Sequence, residues 1–521
     1  MPPLTMTRWT RLPTEIRSII LEMVAENYRF KSEQYARAGY ASVCREWQPV
    51  FEQRNFQRLV LDQERISDLE QVMSTNQRRY YLRHLFLRVR LNNYDCTVCK
   101  SKEDNRTIRN NNAIFSTAIW NLLVILSKWT GFAGSRRQQG LTLEIGAYSP
   151  GDSKHTFRDF HLEPDYPYQE LKDLETHWEA YKLRADKLGL DSLNDPHHGW
   201  VNGSRDDVSL ESKQRIMGTL TIKAKLPEFS AFSQTFPKVE IVTGLLIRRQ
   251  FYRKIAAKSL RKLLRETFTC LRWFRHEAWH DVDPQQQSCF EKIYKSIILR
   301  NLPSTLRELY IFEHFNKILH PERSTRRANR PLGKALSKSS RLLENLSAAF
   351  LVDAEDFFAN LWPTNEQNLN VIPWENLRKL ALTSRLLHPL IGRGKINKML
   401  INAGRAAAFM PKLEVMEIWN GGEGYACLFR YSNDDGEPKI TWECNWGSHV
   451  TLDYTVVHCW ANLPRHGQHP HGNLTTVVNR LPRRRKQVKT YAATIRHLKL
   501  RRSVLHLISD YQLSWEEYGN S

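Results

Sequence analysis

Residues His276-Glu277-Ala278-Trp279-His280 satisfy the H-E-x-x-H pattern, in which two histidines one helical turn apart bind zinc and the glutamate acts as general base. That chemistry requires a helix. The run directly follows Leu271-x-x-Phe274, where a recurring apolar pattern calls for a strand. On a strand His276 and Glu277 point to opposite faces, and His276 and His280 stand too far apart to chelate. Asp281-Val282-Asp283-Pro284 ends the segment, and no third ligand is evident, so a zinc metallopeptidase is the less favoured reading. Cys96-Thr97-Val98-Cys99 has the spacing of half a zinc knuckle or a redox pair. A structural zinc needs four ligands and there is no second C-x-x-C, so reduced loop thiols are preferred and no metal is expected. His466, His469 and His471 flank Pro470 and read as solvated loop histidines. There is no Walker-type or G-x-G-x-x-G phosphate loop and no G-x-S-x-G elbow, so neither catalysis nor a cofactor is expected.

The elements that hold these residues follow from a repeat. The form L-x-x-L-x-L recurs at Leu82-x-x-Leu85-x-Leu87, Leu271-x-x-Phe274, Leu306-x-x-Leu309-x-Ile311, Leu343-x-x-Leu346, Leu377-x-x-Leu380-x-Leu382 and Leu413-x-x-Met416-x-Ile418. First positions at 271, 306, 343, 377 and 413 lie 35, 37, 34 and 36 residues apart, and Val239-x-x-Val242 sits 32 before them. Each unit reads as a short strand followed by a helix, the clearest helices being Lys258–Glu266 and Ile396–Gly404. Such units cannot bury their apolar faces alone; stacked, they build one α/β core with a parallel sheet, an irregular leucine-rich-repeat-like solenoid. The polar stretch 150–236 interrupts the pattern and reads as an insertion or long loops. Beyond Asn420, alternating segments around Asp434-Asp435-Gly436 read as a β-hairpin that caps the array.

The chain has 521 residues, 41% hydrophobic and 25% charged, with 15 Trp, 19 Tyr and 22 Phe, enough to build a folded interior and to argue against wholesale disorder. The longest apolar run, Ala118–Leu126, is broken by Asn121 and reads as a buried helix, not a membrane span. Sparse cysteines and no signal-peptide pattern place the chain in the cytoplasm or nucleus. The 77 Lys and Arg against 55 Asp and Glu give a net charge of +22, which favours acidic partners. Basic runs at Arg323–Arg330 and Arg483–Lys486 keep open a nucleic-acid- or phosphate-binding repeat protein, although neither interleaves with aromatic residues.

At the N-terminus, Pro13 can open a helix because its missing N–H would be unpaired there. Ile16, Ile19, Ile20, Met23 and Val24 fall on one face that must be buried. After a polar stretch from Asn27 to Arg37, a second stripe at Tyr40, Val43, Cys44, Trp47 and Phe51 reads as another helix, which Pro49 kinks or ends. Two such helices cannot cover both stripes, which predicts a docking partner.

Leu12-Pro13-x-Glu15-Ile16 and Val43-Cys44-Arg45-x-Trp47 resemble the two ends of the F-box signature. Tyr94-Asp95-Cys96-x-x-Cys99, Arg248-Arg249-Gln250-Phe251-Tyr252 and Phe409-Met410-Pro411-Lys412-Leu413 extend the resemblance to the large fungal F-box proteins. The segment 27–37 departs from the family pattern. The resemblance implies an F-box-like module over 9–56, and the repeat makes 57–521 an irregular leucine-rich-repeat-like domain. The resemblance also implies that Leu12, Pro13, Ile16, Ile20, Val43, Cys44 and Trp47 bind a Skp-type adaptor, and through it a cullin-RING ubiquitin ligase. The chain would then be the substrate-recognition subunit, offering a basic concave face to an acidic or phosphorylated target, with no chemistry, cofactor or membrane contact of its own.

Overall fold

Each L-x-x-L-x-L unit becomes one strand of a single sheet. The computed structural model describes residues 9, 11–27, 39–130, 140–158, 193–205, 208–223, 235–316, 318–320, 329–359, 372–434, 436–446, 452–463, 474–481 and 488–519. Twelve strands lie side by side in chain order. They are β1 (Arg58–Leu61), β2 (His84–Arg90), β3 (Leu141–Tyr148), β4 (Val242–Ile247), β5 (Trp273–Trp279) and β6 (Glu308–His314), then β7 (Asn345–Asp353), β8 (Lys379–Thr383), β9 (Val415–Gly422), β10 (Tyr425–Asp434), β11 (Glu437–Cys444) and β12 (Thr475–Arg480). Neighbours run parallel except β9–β10 and β10–β11, which are antiparallel. The hairpin expected as a cap is therefore internal: β12 pairs with β11 and forms the edge.

The repeat spacing fixes the register. Trp273, Glu308, Asn345, Lys379 and Val415 stand opposite one another across β5 to β9. One place further, Phe274, Leu309, Leu346, Leu380 and Met416 form a fully buried ladder, and His276, Ile311, Ala348, Leu382 and Ile418 form the next. Each large apolar side chain so buried contributes roughly 1.5–3 kcal/mol. Against this face pack the helices that link the strands. Among them α4 (Asn105–Ser127, following α1 to α3 below) turns Phe115, Ile119, Leu122 and Leu126 inward and is capped by Asp104, which accepts from Thr107 N at 2.7 Å. Farther on, α6 (Arg330–Ser339) crosses α7 (Ala354–Phe358) closely: a Cβ on Gly333 would come 2.7 Å from the Asp356 carbonyl carbon.

The opposite face carries Glu144, Arg275, Glu277 and Glu417 at alternating positions, a pattern that by itself reads as solvent-facing. It is not exposed. Residues 488–513 fold back over it, and Tyr491, Ile495, Leu498, Val504 and Leu505 pack on Phe312, Ala349, Ala381, Trp419 and Leu428. This face of the sheet is thus covered across β6 to β10, and Arg275, Glu277 and Glu417 bond the chain's own C-terminal segment.

Ahead of the sheet, α1 (Thr14–Asn27) and α2 (Trp47–Phe56) enclose a small core of Leu21, Ala25 and Phe51. Nearby α3 (Asn76–Tyr81) packs on α2 through Arg78, which pairs with Glu52 at 2.6 Å and lies over the Phe56 ring. Beyond β3 lies α5 (Leu210–Ile216).

Candidate functional site

The N-terminal module presents apolar surface that nothing in the described chain covers. Its inward side is Leu21, Ala25 and Phe51, with Trp47 stacked on Phe51 at 5.4 Å and Tyr40 at 5.2 Å. The face expected to be buried turns outward instead: Ile16 is 43%, Ile19 51% and Met23 56% exposed, with Ile20 and Val24 half-buried at its border. The aromatic cluster decides this, because Trp47 and Phe51 offer more contact area to the Leu21 side of α1. Residues 41–46 form turns, so Val43 and Cys44 precede the second helix and lie exposed, Val43 at 57%. Pro49 neither kinks nor ends that helix. It sits in the first turn, where its N–H has no intrahelical partner to lose. Leu12 and Pro13 are exposed beside the start of α1, while Trp9 Nε1 donates to Glu46 at 3.0 Å and Arg17 pairs with Glu46 at 3.3 Å. Of the seven expected adaptor residues, Leu12, Pro13, Ile16, Val43 and Cys44 are exposed, Ile20 is half-buried, and Trp47 supports the module from inside. The segment 28–37 lies outside the described residues.

The H-E-x-x-H run lies in β5, as the repeat requires, and its members face different surroundings. His276 occupies the ladder position held by Ile311 in the next strand and stacks between Phe274 and Tyr294. Burial pulls its pKa down to about 4, with Lys254 adding to the effect. Glu277 points the other way, accepting from Arg249 N at 3.3 Å, His506 N at 2.7 Å and the Ser509 hydroxyl. His280 lies four residues along the strand, roughly 13 Å away by strand rise, and bonds Glu313 at 3.1 Å. The pair cannot share a metal.

Cys96 and Cys99 tell a different story. The turn that carries them follows β2, and the turn that carries His155 follows β3; because the two strands are parallel, both turns emerge at the same end of the sheet. A third segment brings His198, on the short turn Pro196–His198 before a two-stranded hairpin closed by Asn202-Gly203. Cys96 Sγ, His155 Nδ1 and His198 Nε2 lie 3.2–3.5 Å from one another. Cys99, buried beside them, groups with His197 and His198. Counting C-x-x-C motifs therefore missed these neighbours. The missing histidines were visible only as a His-rich phrase, Asp195-Pro196-His197-His198-Gly199, with no spacing rule to link it to Cys96. His466, His469 and His471 lie outside the described residues.

The polar face of the sheet holds buried charges, one set tying its first strands together and another anchoring the C-terminal segment. Burial alone would raise the Glu144 carboxyl, but Arg248 at 2.5 Å, His84 at 2.7 Å and Arg58 hold it far below the usual range. Burial lowers His84, so its neutral ring donates to Glu144. Glu417 accepts from Arg430 at 2.6 Å and from the backbone N–H groups of Lys499 at 2.8 Å and Leu500 at 2.9 Å. These carboxylates are structural clasps.

A family of unknown function, DUF6546, matches residues 301–506. The matched span starts just before β6 and ends within the segment that closes the polar face, so it includes the Glu417 clasp and leaves the N-terminal helices and the Cys96–His198 cluster outside. No curated protein matches the chain. Among the described residues, no helix is long and apolar enough to cross a membrane.

Proposed function

We propose that this chain is the substrate-recognition subunit of a Skp-cullin-F-box ubiquitin ligase, with residues 9–56 as an F-box and the remainder as an irregular leucine-rich-repeat-like solenoid. One observation carries the reading: a two-helix module with its own aromatic core leaves Ile16, Ile19, Met23 and Val43 exposed together with Leu12. A module this small does not keep so much apolar surface in water without a partner. The exposed residues include five of the seven that the F-box signature assigns to adaptor contact, Leu12, Pro13, Ile16, Val43 and Cys44. The solenoid reading is supported by strand order that follows chain order and by an interval of 34–37 residues between units. The net charge of +22 supports an acidic or phosphorylated target. A nucleic-acid role finds less support, since neither basic run, Arg323–Arg330 or Arg483–Lys486, interleaves with aromatic residues; 321–328 and 482–487 lie outside the described residues. Neither cofactor nor catalytic group enters this account.

The experiment is co-purification of the tagged full-length chain with a Skp-type adaptor. The wild-type chain retains the adaptor, and Ile16→Ala with Val43→Ala loses it while keeping Leu21, Ala25 and Phe51 intact. Retention by a folded double variant, or no adaptor with wild type, overturns the reading.

A further inference from the structure

We propose that Cys96, Cys99, His155 and His198 form a structural zinc site that ties the segment around His198 to the end of the sheet. This goes beyond the ligase reading and stands independently of it.

Edge lengths argue for a metal. In a tetrahedral zinc site with Zn–S about 2.3 Å and Zn–N about 2.05 Å, ligand atoms stand about 3.6 Å apart for S–N and about 3.4 Å for N–N. The separations here are 3.4 Å for Cys96 Sγ to His155 Nδ1, 3.5 Å for Cys96 Sγ to His198 Nε2, and 3.2 Å for His155 Nδ1 to His198 Nε2. These three atoms form one face of such a tetrahedron. Cys99 lies beside that face, buried, its sulfur near the donor atoms of His197 and His198 and bonded to the Cys96 carbonyl at 3.4 Å, and it would supply the fourth corner by turning its thiol towards the other three; a turn in which Asp95 Oδ1 accepts from Thr97 N at 2.9 Å sets it three residues from Cys96.

Proton counting argues the same way. His198 Nδ1 faces Asp195 Oδ2 at 2.7 Å, and Arg158 holds that carboxylate at 2.6 Å. His155 Nε2 faces the Tyr94 carbonyl at 3.3 Å, with Tyr94 stacked on the ring. Each imidazole therefore spends its N–H outward, on a carboxylate or a backbone carbonyl, the outer partners that metal-bound histidines have. The inner nitrogens are left as bare lone pairs pointing at each other and at Cys96. The Cys96 thiol brings one proton for three acceptors; a divalent cation satisfies all three and takes both cysteines as thiolates, releasing their protons to solvent. Two sulfurs and two imidazoles as donors select zinc over the harder cations. His197 is exposed and stands beside His198 with its ring perpendicular, outside the first three corners.

The site has something to hold. Ser212 in α5 donates to the Cys99 carbonyl at 3.2 Å, and Arg215 reaches the carbonyls of Ser101 at 2.6 Å and Lys102 at 3.1 Å. The metal would lock this layer, which the sequence reads as loops, to the turns after β2 and β3.

The test is elemental analysis of the full-length chain purified without added metal, then cobalt replacement. The inference expects about one zinc per chain after dialysis and, with cobalt, the visible absorption of a tetrahedral thiolate-ligated ion. Cys96→Ser and His198→Ala lose the metal, Cys270→Ser keeps it, and His155→Cys keeps it with a stronger sulfur-to-cobalt band. Should the losing variants fail to fold, the wild-type chain decides: chelator must expose Cys96 and Cys99 to alkylation. Wild-type protein without zinc that also takes up no cobalt overturns the inference. So does metal retained by folded Cys96→Ser and His198→Ala chains.

Discussion

At the scale of single residues, His276 is the clearest case of a motif whose meaning its element decides. Its pKa of about 4 against an ordinary 6.5 means the fold holds it neutral while the unfolded chain protonates. It therefore costs nothing above about pH 6.5, and stability falls as pH drops from there towards 4, by about 3 kcal/mol at the limit. His276→Leu, matching Leu382 on the same ladder, is expected to leave the neutral-pH stability within about 1.5 kcal/mol of wild type and to flatten the acid slope of the melting midpoint. His506, lowered far by burial, and Glu144, held low by Arg248, keep part of that slope in both proteins. Parallel midpoint-versus-pH curves for the two would contradict the assignment. The sequence made His276 legible because a repeat predicted its strand. It left His155 and His198 hidden because they are 59 and 102 residues from Cys96, joined only by tertiary structure.

At the scale of elements, the ladder positions were readable and the C-terminal clasp was not. Leucine spacing reports one face of a strand. The other face, with Glu144, Arg275, Glu277 and Glu417, looks the same in sequence whether water or the chain itself covers it. The clasp predicts that Glu417→Ala, which strands Arg430 and frees the Lys499 and Leu500 amides, costs about 3–5 kcal/mol. Hydrogen exchange over residues 488–513 should rise more than exchange over β2 and β3; a uniform rise would show that the segment is not held locally. Gly333→Ala, driven into the Asp356 backbone, is expected to cost about 1–3 kcal/mol in urea unfolding, and an unchanged midpoint would mean that α6 and α7 approach less closely. The helix boundary at Trp47 was also misread: Tyr40, Val43, Cys44, Trp47 and Phe51 keep helical spacing, yet the turns at 41–46 intervene.

At the scale of the whole molecule, a twelve-stranded sheet built from stacked units carries a small helical module at one end. The α/β class with a large, mostly parallel sheet was legible from the interval between units, whereas the two short N-terminal signatures support only the proposed F-box role. The sequence reading put the wrong side of α1 inward, since Leu21 and Ala25 on one side and Ile16, Ile19 and Met23 on the other are all apolar. The central claim is that the outward side is an adaptor-docking face. Its most direct measurement is calorimetric titration of the purified full-length chain with a purified Skp-type adaptor, beside the Ile16→Ala, Val43→Ala double variant at matched thermal stability. The account predicts saturable one-to-one binding, weakened about 30-fold or more by the double substitution as expected for central apolar contacts. No binding by the wild-type chain, or equal affinity for both, would contradict it.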